Sequence, residues 1–172
     1  MNKVKNNINN NDLTIIPIDS KYFVNKPNIN LFIDIVYQNF IGLSKYDKLK
    51  HTYDDIFELI KSSKFKGFFI KDKKKIIGYL LGEVTMLSGG RNVFFISYVY
   101  ISKHYRKHGL ASKLLDLVIG TAKKLKLDTV MLICDTEDDE VYNFYLKRGF
   151  MLDLIMRRYD RHDVLSLPNG FI

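Results

Sequence analysis

One stretch near the middle of the chain limits the possible folds more than any other. Residues 93–101 read VFFISYVYI, and such a run of β-branched and aromatic residues favours a buried strand. After the short basic turn RKHG at 106–109, residues suited to a buried face recur at helical spacing: Leu110, Leu114, Leu117, Val118, Thr121 and Leu125. The sequence therefore predicts a strand, a turn and the start of a helix.

The start of this helix has the properties of an anion-binding site. The first N–H groups of a helix have no partner within it, and the summed peptide dipoles leave partial positive charge there. Gly109 allows a ligand to approach the main chain closely, and Arg106 and Lys107 add full positive charge. Several amides could therefore wrap a diphosphate, although the spacing alone leaves an ordinary helix cap as the alternative.

A second motif follows further along the chain, after another strand-like run and a helix start. Residues 144–150 form the pattern Phe-Tyr-x-x-x-Gly-Phe. In this order, Arg-x-x-Gly-x-Ala at 106–111 and the second pattern resemble the acetyl-CoA-binding core of the GNAT (Gcn5-related) N-acetyltransferase superfamily. The motifs cover residues 93–150, and the pattern of predicted elements extends the resemblance to 13–167.

The resemblance implies a mixed α/β fold (α+β mixed), with a central twisted sheet of about six or seven strands flanked by about four helices. Residues 13–172 would form this one domain. In the family, the strand corresponding to 93–101 splays away from the strand corresponding to 129–134, and the pantetheine arm of acetyl-CoA enters the gap. By resemblance, the backbone of Val99, Tyr100 and Ile101 would pair with the pantetheine amides.

The resemblance also implies contacts to the rest of acetyl-CoA, the expected co-substrate. Arg106 would add charge beside the pyrophosphate, whose oxygens the amides of the turn would hold: Lys107, His108, Gly109, Leu110, Ala111 and Ser112. Asp138 stands where the family commonly has an asparagine that contacts the cofactor, and Tyr145 would lie near its sulfur. No metal is expected, because the four histidines share no short ligand motif.

Moving an acetyl group from a thioester to an amine makes three demands on a site. The amine must lose a proton, the carbonyl oxygen becomes an oxyanion, and the departing thiolate must be protonated. Tyr145 aligns with the family's general acid, and a phenol of ordinary pKa, about 10, carries the proton that it would donate. A strand N–H near Ile101 would support the oxyanion.

The general base does not follow from the family pattern. Small-amine acetyltransferases of the family often have a glutamate at the position of Ser97. Glu83 on the neighbouring strand is the candidate in its place, acting directly or through water, and simple exposure to solvent is the alternative. Cys134 ends an apolar strand, which predicts a core thiol and direct transfer in a ternary complex rather than an acetyl-enzyme.

Three functions are compatible with the sequence: acetylation of one of two kinds of acceptor, or a role without catalysis. Glucosamine 6-phosphate leads, because the chain is basic and residues 142–150 and 155–159 are similar to glucosamine-phosphate acetyltransferases. A peptide or protein α-amine is second, because residues 96–101 and 158–163 resemble segments of N-terminal acetyltransferases. A non-catalytic acyl-CoA-binding module is third. A polyamine is disfavoured, because a cationic substrate needs an acidic pocket.

Composition limits the class of protein. A length of 172 residues, 47% of them apolar and 27% charged, fits one globular domain. The net charge of +8 is spread along the chain, which favours a small polyanion over nucleic acid as the partner.

The lone cysteine, and the lack of a signal-like or membrane-spanning run of ~20 apolar residues, predict a cytoplasmic protein without membrane contact. A monomer and a homodimer are equally compatible.

The remaining elements are predicted from local patterns. Residues 1–12 are polar and Asn-rich and should be disordered. Pro17 favours an edge position for the strand at 13–18. Tyr46, His51 and Tyr53 are expected to pack, with an acceptor pocket as the alternative. Further elements are predicted as helices at 28–40 and from Thr52, and strands at 67–71, 76–86, 129–134, 151–154 and 155–167.

Overall fold

The computed structural model describes residues 13–24, 28–43, 51–158, 160–168 and 170. In this part of the chain, seven strands form one mixed sheet and four helices pack on it. The strands are β1 (Leu13–Asp19), β2 (Phe65–Asp72), β3 (Lys75–Met86), β4 (Asn92–Ile101), β5 (Thr129–Asp135), β6 (Met151–Leu152) and β7 (His162–Pro168). The helices are α1 (Ile29–Leu43), α2 (Tyr53–Lys61), α3 (Leu110–Lys124) and α4 (Asp139–Lys147). The predicted tail at 1–12 lies outside the described residues.

The sheet confirms the predicted mixed fold. Its strand order is β1-β2-β3-β4-β5-β7-β6, and only the pairing of β4 with β5 is parallel. Helix α3 makes the crossover that a parallel pair requires. Strand β1, which contains Pro17, lies at the edge of the sheet as predicted. Helices α1 and α2 pack on one face around Phe32 and Ile56, while α3 and α4 pack on the other around Leu114 and Tyr145.

The parallel ladder between β4 and β5 is short. It joins Val93 to Thr129 and ends with the pair Ile96 and Leu132, although both strands are described to their ends. Residues 97–101 of β4 and 133–135 of β5 therefore diverge. This divergence leaves a gap in the middle of the sheet, as the resemblance implied.

A β-bulge in β4 coincides with the end of that ladder. Tyr98 pairs with Leu81 and Ile96 pairs with Gly82, so Ser97 has no partner in β3, a strand that is described along its full length. Ile96 belongs to the core under α3, whereas Tyr98 belongs to the core under α1 and α2. The extra residue thus turns Tyr98 to the α2 side of the sheet, as bulges beside functional sites often do.

Helix α2 begins with a complete capping box. The Thr52 hydroxyl oxygen accepts the N–H of Asp55 at 3.2 Å, and the Asp55 carboxylate accepts the N–H of Thr52 at 2.6 Å. These bonds to Thr52 lower the pKa of Asp55. The predicted helix start at Thr52 is confirmed, and the cap fixes the position of the preceding residue, His51.

Two details differ from the sequence prediction. Leu117 of α3 and Leu125, which caps its C-terminal end, are exposed, and the buried positions are Leu110, Leu114, Leu115, Val118 and Ala122. The buried stripe is rotated because Leu115 and Ala122 meet the sheet, and an alanine carries too little apolar surface to mark a face in the sequence.

The predicted strands over 151–154 and 155–167 form only in part, as β6 and β7, and none of the described residues between Leu152 and His162 belongs to a strand. Between them, the buried Asp153 carboxylate accepts the Arg91 guanidinium at 2.7 Å and the N–H groups of Ile155 at 3.0 Å and Met156 at 2.8 Å. Burial alone would raise the pKa of Asp153, but these bonds hold it at about 2. Such side chain to backbone bonds compete with a strand ladder.

Gly82 should be essential to the join between β3 and β4. A Cβ built there would lie 2.2 Å from the Phe95 carbonyl oxygen and 2.8 Å from the Phe94 ring. We expect Gly82→Ala to destabilise the protein by about 1–3 kcal/mol, because the backbones must separate. Urea unfolding measures this, with Gly120→Ala in α3 as the control for an added methyl group, because a Cβ there would meet no described atom within 4 Å apart from its chain neighbours and the backbone of its own helix. Equal stability of Gly82→Ala and wild type would contradict the close approach.

Candidate active site

The gap between β4 and β5 exposes main-chain groups of β4. The N–H of Ser102 donates to Ile77 of β3 at 2.7 Å, and successive residues of a strand direct their main-chain groups to opposite edges. Val99 and Ile101 therefore direct their N–H and C=O groups towards the gap, whereas Tyr100 directs its groups to β3. Arg106 Nε donates to the Ile101 carbonyl at 2.9 Å, which holds the arginine beside the gap.

The turn after β4 forms an open, positively charged cradle at the start of α3. Lys107 and Gly109 have left-handed backbone angles, φ +64° and +76°. All residues of α3 are described. The first of its N–H groups that bonds to the preceding turn belongs to Lys113, which donates to the Gly109 carbonyl at 3.0 Å. The N–H groups of residues 110–112 consequently have no partner within the helix. None of the described atoms lies within 4 Å of a Cβ built on Gly109, so space is open above the turn.

The cradle is anchored to the rest of the fold by hydrogen bonds. The Tyr105 hydroxyl donates to Asp72 of β2 at 2.6 Å, and this bond to the carboxylate raises the pKa of Tyr105. His108 Nδ1 lies 2.7 Å from the Arg106 carbonyl. On the outer side, Lys107 Nζ lies 3.8 Å from Glu140 of α4, with both side chains exposed. The turn is thus held between the β2–β3 hairpin and α4.

Tyr145 lies inside the fold on α4. Its ring packs against Phe144 at 5.2 Å and Phe150 at 5.5 Å between centroids, and only 6% of the residue is exposed. Burial, followed by the neighbouring Cys134, raises the pKa of Tyr145, so it is a phenol at neutral pH. Its hydroxyl donates no hydrogen bond to any residue that the structure describes. It therefore has a proton to give.

Cys134 and Asp138 lie close to Tyr145 but have other surroundings. Cys134 is buried, as predicted, and burial together with Asp138, Asp135 and Asp163 raises the pKa of its thiol to about 12. A thiol of that pKa is a poor nucleophile at neutral pH. Asp138 caps α4, where its carboxylate accepts the N–H of Val141 at 3.1 Å. That helix-capping bond occupies one of its oxygens.

A cavity of about 460 Å³ lies between α2 and the bulged part of the sheet. Its described lining is His51, Asp55, Glu58, Leu59, Ser62, Glu83, Ser97 and Tyr98. Three of these residues are acidic, and no described lysine or arginine lines the cavity. Neither Glu58 nor Glu83 forms an ion pair with a residue in the described ranges. The described cavity is therefore negatively charged in a chain whose net charge is +8.

Aromatic rings form one side of this cavity. His51 Nδ1 lies 2.6 Å from the Tyr98 hydroxyl, and the Phe40 ring packs 5.0 Å from His51 and 5.6 Å from Tyr98 between centroids. Burial, and next the charge of Asp55, raises the pKa of Tyr98, which is only 6% exposed. Aromatic faces beside carboxylates suit a cation, which both attract.

The structure brings some predicted site residues together and separates others. Glu83 and Ser97 line the cavity, and so does His51, for which packing was the favoured expectation. Tyr53 instead packs on Tyr37, with ring centroids 6.3 Å apart, and Tyr46 lies outside the described residues. Sequence reasoning identified Glu83 but missed Asp55 and Glu58, the other two acidic residues of the lining. The sequence contained a signal for this face of α2, because residues 58, 59 and 62 follow residue 55 at spacings of three, four and seven, which places them on one side of a helix.

Other kinds of site find no support in the part of the chain that is described. Within those residues, no group of three histidine, cysteine or acidic side chains could hold a metal ion. None of the described helices is long and apolar enough to cross a membrane.

Known structures with the same architecture are numerous. NAA60 from Arabidopsis thaliana in complex with a bisubstrate analogue superimposes with a TM-score of 0.69 at 12% identity, covering 92% of this chain and 99% of that chain. Ard1 from Thermoplasma volcanium gives 0.62 at 19% identity, covering 90% and 95%. The aminoglycoside acetyltransferase meta-AAC0020 from an uncultured soil metagenomic sample gives 0.65 at 16%, covering 87% and 96%. At these identities the likeness establishes the fold.

Sequence comparison establishes the family. No curated protein sequence matches this chain. The model of the family described as "Acetyltransferase (GNAT) family" matches residues 33–150, which is more than half of the 172-residue chain and includes the gap, the cradle, the cavity and Tyr145. The chain therefore belongs to the GNAT family of acetyltransferases.

Proposed function

We propose that this acetyltransferase moves the acetyl group of acetyl-CoA to a primary amine of a small acceptor that carries more than one positive charge. The observation that carries the proposal is the acidic cavity beside the bulge in β4. It lies on the α2 side of the sheet at the point where β4 leaves β5, so an amine held there is next to the gap.

The cradle and the gap suit acetyl-CoA, which supplies the acetyl group as a thioester. The pyrophosphate would accept hydrogen bonds from the N–H groups of residues 107–112, with Arg106 and Lys107 adding charge. Val99 and Ile101 would bond the pantetheine amides through the main-chain groups that face the gap. The similar Arabidopsis thaliana NAA60 has also been solved with acetyl-CoA, which supports this assignment.

Two side chains are proposed to act on the reacting groups. Tyr145 would give its proton to the departing sulfur, because its buried phenol is protonated at neutral pH. Glu83 lines the cavity, so its carboxylate would hold the ammonium group of the acceptor. An N–H at Ile101 would support the oxyanion. The high pKa of Cys134 favours direct transfer over an acetyl-enzyme.

The charge of the cavity argues against the acceptor that the sequence favoured. Glucosamine 6-phosphate would bring its phosphate next to Asp55, Glu58 and Glu83, where like charges repel. A polyamine or an amino sugar with several ammonium groups would instead be attracted. The polyamine was disfavoured only because the whole chain is basic. A peptide α-amine is the second candidate, because its ammonium group is also a cation.

A panel of acceptors tests this proposal, with release of free CoA from acetyl-CoA as the readout. We expect spermidine to have the highest kcat/KM, and glucosamine to exceed glucosamine 6-phosphate, a pair that differs only by the phosphate. Glu58→Gln should raise KM for spermidine about three- to tenfold, since an exposed charge is partly screened. Asp54→Asn on the outer side of α2 is the matched control. A preference for glucosamine 6-phosphate would overturn the proposed acceptor, and turnover of peptides alone would favour the second candidate.

The cradle is tested by placing a carboxylate in it. Gly109→Asp should abolish acetyl-CoA binding measured by calorimetry, because the new charge would face the pyrophosphate. Gly90→Asp is the matched control, since Gly90 also has a left-handed backbone, φ +84°, and none of the described atoms lies within 4 Å of a Cβ there. Unchanged affinity in Gly109→Asp would exclude the cradle as the pyrophosphate site.

The role of Tyr145 is tested by removing its hydroxyl alone. Tyr145→Phe should lower kcat on the order of 10²-fold or more with little change in the affinity for acetyl-CoA. Tyr142→Phe on the same helix is the control, because the Tyr142 hydroxyl donates to Asp163 at 2.6 Å rather than facing a substrate. Wild-type turnover by Tyr145→Phe would mean that another group protonates the sulfur.

A further inference from the structure

Acetylation of an ammonium group requires a route for a proton out of the site. The nitrogen loses two protons on becoming an amide, and only one of them is retained, on the sulfur of CoA. The other must reach solvent. The roles proposed above for Tyr145 and Glu83 leave this step without a path, and the inference below rests on that proposed function.

Two side chains that line the cavity, Tyr98 and His51, are joined by a hydrogen bond. Tyr98 lies on β4 directly after the bulge, is buried, and lines the cavity. Its hydroxyl is 2.6 Å from Nδ1 of His51, a half-buried residue that comes directly before the capped start of α2. The Phe40 ring packs on both side chains, and the Thr52 cap fixes the backbone next to the imidazole. The pair is therefore held in a defined geometry.

We propose that the Tyr98 oxygen accepts a proton of the acceptor's ammonium group while the Tyr98 hydroxyl proton passes to Nδ1 of His51. Tyr98 would then touch the amine, and His51 would be a positioning residue that receives the proton through Tyr98. The step requires the imidazole tautomer with its proton on Nε2, so that Nδ1 accepts the bond from the phenol.

The proton and bond changes balance. The amine left by this transfer attacks the thioester, the C–N bond forms and the C–S bond breaks. The sulfur takes the proton of Tyr145, and the second proton of the nitrogen restores the Tyr145 phenol. The His51 imidazolium then releases its Nε2 proton to solvent, and proton exchange of the ring with water restores the tautomer that is protonated on Nε2. The sum is one amide, one molecule of CoA thiol and one proton.

The chemistry of the surrounding groups favours this path. The charged residues that line the cavity together with His51, among the described residues, are Asp55 and Glu58 of α2 and Glu83 of β3, all acidic. They stabilise the imidazolium cation that forms. A carboxylate, with an ordinary pKa of about 4, is a much weaker base for an ammonium proton than an imidazole, with about 6.5. The raised pKa of Tyr98 keeps it a neutral phenol that relays the proton and does not store it.

Three variants of the full chain test the proposal with acetyl-CoA and spermidine. Tyr98→Phe and His51→Gln should each lower kcat about 10²-fold without changing the affinity for acetyl-CoA, and the double variant should be no slower than either. The pH profile of kcat in wild type should have an acid limb, because the relay needs an imidazole that can accept a proton. This limb should disappear in His51→Gln and persist in Glu83→Gln. Tyr53→Phe, whose ring packs outside the cavity, is the control for removal of a tyrosine hydroxyl.

Several outcomes would overturn the path while leaving the proposed function intact. Turnover with an acid limb in His51→Gln would show that another group accepts the proton, and loss of the limb in Glu83→Gln would assign that role to Glu83. Additive losses in the double variant would show that Tyr98 and His51 do not act as one unit.

A second measurement does not depend on turnover. It therefore distinguishes a failure of the proton path through Tyr98 and His51 from a failure of the proposed function. Nitrogen NMR of histidine-labelled protein, assigned with His51→Gln, reports the tautomer of the ring. We expect the neutral His51 ring to be protonated at Nε2, with an Nδ1 shift that changes in Tyr98→Phe. A proton on Nδ1 would overturn the proposal, because the ring would then donate to Tyr98 and could not accept from it. Absence of turnover with every amine would instead overturn the proposed function.

Discussion

The structure around the site depends on main-chain N–H and C=O groups of β4 that do not pair with β5. Up to Ile96 the two strands are joined by a parallel ladder, and beyond it the groups of Val99 and Ile101 face a gap. Polar main-chain groups inside a protein need partners, so a gap in the middle of a sheet is costly unless water or a ligand fills it. The bulge at Ser97 and the turn at 106–109 stand at the two ends of this opening. The cavity and the cradle are consequences of that geometry.

Charge is distributed unevenly around this opening. The cradle has Arg106, Lys107 and the N-terminal amides of α3, while the cavity on the α2 side has Asp55, Glu58 and Glu83. An anionic ligand and a cationic ligand are thus attracted to different sides of the same sheet. Under the proposed function, this separation would hold anionic acetyl-CoA and a cationic acceptor side by side, each in a field of opposite sign. The net charge of the chain describes neither site.

Much of the fold and part of the site could be predicted from the sequence. The cradle was predictable because a strand, a Gly-containing turn and an amphipathic helix are contiguous, and Tyr145 because it lies four residues before Gly149 in a local motif. Thr52 was recognisable as a cap for the same reason. The buried face of α3 was predicted less well, because Leu117 is as apolar as Leu115 and only the position of the sheet decides between them. The Asp153 turn was missed because it depends on Arg91, which lies far away in the chain.

The sequence by itself determined the order of the elements up to α4, the motifs of the family and the Gly-containing turn at the start of α3, because each depends on residues near one another in the chain. Only the tertiary structure decided that acidic side chains gather in one cavity on the α2 side of the sheet. Asp55 and Glu58 come from a helix, Glu83 from a strand and His51 from the segment before the helix. Their common cavity exists because the bulge turns Tyr98 towards α2. A one-residue insertion in a strand ladder reverses which face a side chain occupies, and this depends on pairing between strands rather than on composition.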